Sequence, residues 1–204
     1  AITILASLLP LLALSCQSPY YAALEKIGIE KRDILVDRVE EGRESQEEAK
    51  EQLQSALEKI TELTDFEGGE LQKVYNRLDR ELERSEERAE EVSRRIDAIE
   101  DVSEELFDEW ERELRDFENP EYRRISEQRL EETYGRYLDL ITAMKRAEKA
   151  IEPVLQTFRD QVLFLKHNLN AQAIATLDTQ TELLKTDIQY LIREMAASID
   201  EATS

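Results

Sequence analysis

Cysteine, glycine, proline and aromatic residues are all scarce in this chain. Of 204 residues, 5 are Gly, 4 Pro, 1 Cys, 1 His and 1 Trp, and aromatics make up 6%. Few breakers and few large rings favour long helices over a compact, enzyme-like core. A single cysteine excludes an internal disulfide framework. Basic residues are also in deficit, 27 against 47 acidic ones, for a net charge of -20. Because the acid is spread along the chain, phosphate backbones would be repelled everywhere, which excludes nucleic acid as a partner. The same charge would hold the body away from an anionic bilayer.

Signs of catalysis are missing as well. No nucleophile and base are signalled and no Gly-rich loop could cradle a phosphate, while carboxylates are too abundant for any pair to stand out. His167 has no second His or nearby Cys with which to hold a metal. The sequence therefore predicts a protein that is not an enzyme and needs neither cofactor nor metal.

What the sequence does contain is heptad periodicity. Leu35, Val39, Gly42, Gln46, Ala49, Leu53, Ala56, Ile60 and Leu63 alternate four and three apart, the seam of a coiled coil. Gly42 would let a neighbouring helix come close, and Gln46 would fix register. A second stripe holds Leu78, Leu82, Ser85, Ala89, Val92, Ile96, Ile99, Ser103, Leu106 and Trp110, with Glu90 spaced to meet Arg94 and Glu91 to meet Arg95. Asn119-Pro120-Glu121 reads as cap, first-turn proline and acidic residue at a helix start. A third stripe, including Leu130, Tyr134, Tyr137, Ile141, Met144, Ile151, Leu155, Phe158, Val162 and Leu165, runs straight through Pro153. Beyond it Leu177, Leu184, Ile188, Leu191 and Met195 continue an apolar row. These patterns predict an all-α fold: an elongated antiparallel coiled-coil bundle of three long helices at about 19–64, 70–117 and 120–200, the third kinked or overlong. With no Gly or turn cluster near its end, the third helix is expected to project and bury its stripe in another chain, a possible homo-oligomer contact; the alternative is a bend near Pro153 or between His167 and Gln172 that folds its end back.

Ala1 to Ser15 is uncharged and mostly Leu, Ala and Ile, long enough for a signal-type apolar region and short for a membrane span. It leads into Leu12-Ala13-Leu14-Ser15-Cys16, which resembles the lipobox of bacterial lipoproteins. That resemblance implies lipidation at Cys16, with residues 1–16 as a signal segment and 17–204 as one helical domain; a free thiol is the alternative. Gln17, where such proteins carry Asp for inner-membrane retention, implies the outer membrane, facing the periplasm.

Several segments are similar to a family of Gram-negative envelope lipoproteins catalogued as domain of unknown function 2959. The similarity rests on Tyr20-Tyr21, Leu24-Glu25-Lys26-Ile27-Gly28, Lys31-Arg32-Asp33-Ile34-Leu35-Val36, Gly68-Gly69, Leu106-Phe107-Asp108-Glu109-Trp110 and the run from Val162 to Ile174. It implies fold and location, and no activity.

Candidate contacts follow from these segments. Lys166, His167, Asn168, Asn170 and Gln172 form a polar run that is either a buried, register-setting layer or a partner contact. Lys31, Arg32 and Arg38 could touch lipid headgroups, although Asp33 and Asp37 favour pairing within the bundle. Trp110, Phe107 and Phe117 are either core or an aromatic anchor for a partner. The expected function is a lipid-anchored periplasmic scaffold, spacer or adaptor for envelope proteins. The alternative is a chaperone or carrier that holds unfolded protein or lipid between its helices.

Overall fold

The structure, a computed structural model, describes residues 30–64, 71–169 and 171–203. Over these residues the chain is all-α, with four helices: α1 (Lys31–Thr64), α2 (Leu71–Glu113), α3 (Pro120–His167) and α4 (Ala171–Thr203). A short 3-10 turn, Leu114–Asp116, follows α2, and there is no strand among the described residues. Cys16, the tyrosine pair at 20 and 21, the expected helix start at Pro19 and the expected turn at Gly68-Gly69 lie outside the described residues.

Local chemistry explains the helix ends. Asn119 caps α3 as its spacing predicts: the side-chain oxygen accepts from the backbone N–H groups of Glu121 at 2.9 Å and Tyr122 at 3.4 Å. Pro120 then stands where a missing donor costs nothing. α3 continues unbroken through Pro153, and the Thr157 hydroxyl donates to the Pro153 carbonyl at 3.1 Å.

The third helix, expected to reach about residue 200, instead ends at His167, so the helices among the described residues number four rather than three. Asn168 supplies the stop that neither Gly nor Pro does. Its backbone leaves helical geometry at φ -133° and ψ 58°, its N–H donates to the Leu165 carbonyl at 3.2 Å, and its side-chain amide donates to the Phe164 carbonyl at 2.9 Å. Two carbonyls that a helix end leaves open are thereby satisfied.

Packing follows the apolar stripes. Lys31 pairs with Glu109, Glu41 with Arg95, Glu48 with Arg88 and Glu62 with Arg77, so α1 and α2 run in opposite directions. Glu86 with Arg159 and Glu100 with Lys145 give the same relation between α2 and α3. α4 packs against both α3 and α1, held by Arg146 to Glu194 at 2.8 Å and by the Ser198 hydroxyl donating to Gln46 Oε1 at 2.9 Å. On α2, Glu91 meets Arg95 as its spacing predicts, whereas Arg94 turns to Glu91 rather than Glu90.

Leu184, Ile188, Leu191 and Met195 are fully buried in one core with Ile96, Ile99, Met144 and Leu165. From Leu184 to Met195 the C-terminal stripe expected to project is therefore covered by the chain's own helices, while the side chain of Leu177 lies outside the described residues. At the centre, Gly42 fulfils the role its place in the seam suggests. A Cβ there would lie 2.8 Å from Ile99 Cδ1 and 2.9 Å from Met144 Cε, so α1 sits close against side chains from two helices.

Candidate docking site at the open end of the bundle

The helices differ in length, 34, 43, 48 and 33 residues in chain order, and the mismatch is concentrated at one end. Glu194 lies opposite Arg146, and α4 ends at Thr203, nine residues further on. In an antiparallel pair that brings its end level with about Tyr137. The first part of α3, from Pro120, consequently extends about 25 Å beyond α4 at 1.5 Å per residue. Exposure follows the same boundary, since no α3 residue from Pro120 through Leu140 is buried and Ile141 is the first that is.

This overhanging α2–α3 hairpin is held by an aromatic cluster. Phe107 is buried, with its ring edge-on to Tyr134 at 5.0 Å and tilted against Tyr137 at 5.4 Å. The Trp110 indole N–H donates to the Ser126 hydroxyl at 2.8 Å. Trp110 and Phe117 are half-buried, so the three aromatics that the sequence groups divide between core and surface. Tyr122, Ile125 and Leu138 outside the cluster, and Tyr134 within it, remain exposed, at 61%, 44%, 43% and 45%.

Two grooves flank the hairpin. The inner one, about 710 Å³, lies between the start of α1 and the hairpin, where Leu35, Val36, Leu106 and Trp110 face it. Lys31 closes one wall, only 2% exposed, with its ammonium 2.8 Å from Glu109. Pairing within the bundle is thus where this cation goes, and Arg38 likewise pairs with Glu41 at 2.6 Å. Burial pushes the Glu113 carboxyl above its usual range; Glu109 and Asp116 add to the rise and Lys31 opposes it. The outer groove, about 510 Å³, has Phe107, Leu130, Tyr134 and Tyr137 as its floor and carboxylates on both rims. Burial raises the Tyr137 phenol, a hydrogen bond with Ser103 works the other way, and Glu100 adds to the rise.

The polar run that the sequence picks out sits at the opposite end of α3. Lys166 and His167 are exposed in its last turn and Asn168 is its cap, so these three form a helix terminus and not a buried layer. Asn170 and the side chain of Gln172 lie outside the described residues. Sequence reasoning missed the carboxylate rim. A signal for it exists in the four-residue spacing of Glu100, Glu104 and Asp108 on α2 and of Glu127 and Glu131 on α3.

Among the described residues no group of His, Cys, Asp and Glu could hold a metal ion, and no helix is long and apolar enough to cross a membrane. No curated protein and no solved structure matches the chain. A family model described as a protein of unknown function, DUF2959, matches residues 20–204. That match covers nearly all of the sequence, including every described helix, and the chain belongs to this family.

Proposed function

We propose that the protein is a non-catalytic scaffold or adaptor of the Gram-negative cell envelope, an antiparallel coiled-coil bundle held at the outer membrane by lipid on Cys16 and facing the periplasm. The observation that carries the scaffold reading is the overhanging α2–α3 hairpin. Its residues Tyr122, Ile125 and Tyr134 leave apolar surface in water along about 25 Å of helix that α4 does not reach. Exposed aromatic and aliphatic clusters on a rigid element are characteristic of protein contacts. The anchor rests on the apolar run before Cys16 and on its likeness to a lipobox. The carrier reading draws less support, because the interior between the helices is filled from Ala49 to Met195 by close-packed apolar side chains.

The test is photo-crosslinking in the cells that make the protein, with a photoreactive residue at Tyr122 or Leu138 on the hairpin and, for comparison, at Glu58 on the body. Crosslinks to envelope proteins from the hairpin positions alone are expected. Capture from Glu58 as readily as from the hairpin, or from neither, would contradict the proposal. Mass spectrometry of the mature N-terminus checks the anchor, a diacylated or triacylated Cys16 being the expected species.

A further inference from the structure

We infer that the outer groove of the α2–α3 hairpin binds a cationic amphipathic helix, a peptide segment with apolar residues on one face flanked by Lys or Arg. This deepens the scaffold reading above by naming the chemistry of the partner, and it rests on that reading.

Two features of the groove converge on that occupant. The floor is apolar and partly open: Phe107, Leu130, Tyr134 and Tyr137 lie between the two helices, and Tyr134 is 45% exposed. The rims are acidic on both sides, with Glu104, Asp108 and Glu111 from α2 and Glu127 and Glu131 from α3, and no Lys or Arg lines the groove. Glu100 at one end is taken by Lys145 of α3. The other five carboxylates have no ion pair among the described residues, in a chain where most Arg and Lys side chains are already committed to one.

The rim works against the hairpin's own stability. Glu100 and Glu104, Glu104 and Asp108, and Glu127 and Glu131 are like charges four residues apart on helices, each spacing unfavourable by about 0.2 to 0.5 kcal/mol. Cations laid along both rims would relieve that repulsion while their apolar face covers the rings. A second copy of this chain, at net charge -20, brings more acid to the site, and an anionic bilayer does the same. The groove runs from Leu114 back to Glu100, about 21 Å of helix, room for some four turns of a partner.

The probe is a fluorescein-labelled synthetic helix of roughly four turns with leucines along one face and lysines on its flanks. Its binding to the full chain is read by anisotropy at about 0.05 M and about 0.5 M salt. Because any cationic peptide feels a strongly acidic protein, two variants are compared. One carries Glu104→Gln, Asp108→Asn, Glu127→Gln and Glu131→Gln in the groove. The other carries Glu51→Gln, Glu58→Gln, Asp79→Asn and Glu83→Gln on the body, with unchanged helicity required of both.

Affinity should fall about tenfold or more in the groove variant and less than about twofold in the body variant. A further loss is expected with Tyr134→Ala, and a control peptide with serine in place of leucine should bind much more weakly. Equal losses in the two charge variants, or equal binding of the serine peptide, would overturn the cationic-helix proposal. Hairpin-specific crosslinks from Tyr122 would then still stand for the scaffold, with a partner of different chemistry, so the two failures are distinguishable.

Discussion

Replacing the buried pair Gln46 and Ser198 with apolar residues should make the protein more stable. Gln46 is 1% exposed and Ser198 is fully buried, and the Ser198 hydroxyl donates to Gln46 Oε1 at 2.9 Å, tying α4 to α1. The amide nitrogen of Gln46 has no partner among the described residues. One hydrogen bond contributes about 1 kcal/mol net, whereas a buried donor without a partner costs about 1 to 3 kcal/mol. Gln46→Leu combined with Ser198→Ala removes both effects and leaves a side chain of similar size in the seam, so a gain of up to about 2 kcal/mol is expected. For a domain this large, that corresponds to a rise of up to roughly 8 °C in Tm by differential scanning calorimetry. Ser198→Ala alone should instead destabilise, because it leaves both polar ends of Gln46 unmatched. The difference between the double variant and the sum of the singles measures their coupling. A double variant less stable than the parent would refute the reasoning, since it would mean that the Gln46 amide is satisfied and the pair is a net contributor. The associated loss should appear in specificity: light scattering after size exclusion should detect more than one assembly state in the double variant, because a polar pair in a seam fixes register.

Other consequences follow from the same packing. Gly42→Ala should change stability by less than about 1 kcal/mol, because the helix-propensity gain of about 1 kcal/mol is offset by contact with the movable tips of Ile99 and Met144. Gly42→Leu should cost about 1 to 3 kcal/mol in chemical denaturation. Glu113, whose carboxyl is raised mainly by burial, holds its proton more tightly folded than unfolded, so its ionisation opposes folding and stability falls as pH rises through and above the ordinary carboxylate range. Glu113→Gln should therefore raise Tm at pH 7, and the difference should vanish near about pH 4. Asn119→Ala should lower stability by about 1 kcal/mol through loss of the α3 cap, measured by thermal melting.

Much of this fold is legible in the sequence because its signals are local. The Asn119-Pro120 start of α3 depends on adjacent residues, and the α2 stripe from Leu78 to Ser103 depends only on spacing; each is where the pattern puts it. The break at Asn168 falls in the stretch from His167 to Gln172 where the sequence leaves a fold-back open, yet projection is favoured over it because the stop is made by a side-chain amide reaching back to Phe164. A search for Gly and Pro passes over it. That one miss turns a returning fourth helix into a projecting third, and with it the expected destination of Leu184, Ile188 and Leu191 changes from another chain to the chain's own core.

The candidate site is less legible for a different reason. The overhang depends on where Glu194 falls against Arg146, and the groove depends on which face of α2 meets which face of α3. Both are long-range registers that no stretch of sequence encodes alone. Tyr134 illustrates the point: its spacing assigns it to the seam, yet it is exposed, and among the described residues no fourth helix lies beside it.

The early part of α3 is left uncovered by α4, and amide hydrogen exchange read by mass spectrometry tests this directly. Peptides from 120–140, where no residue is buried, should exchange at least about tenfold faster than peptides from 141–165, whose apolar side chains fill the core. Equal and strong protection across both segments would mean that the hairpin is covered within the protein itself, and the docking surface with it.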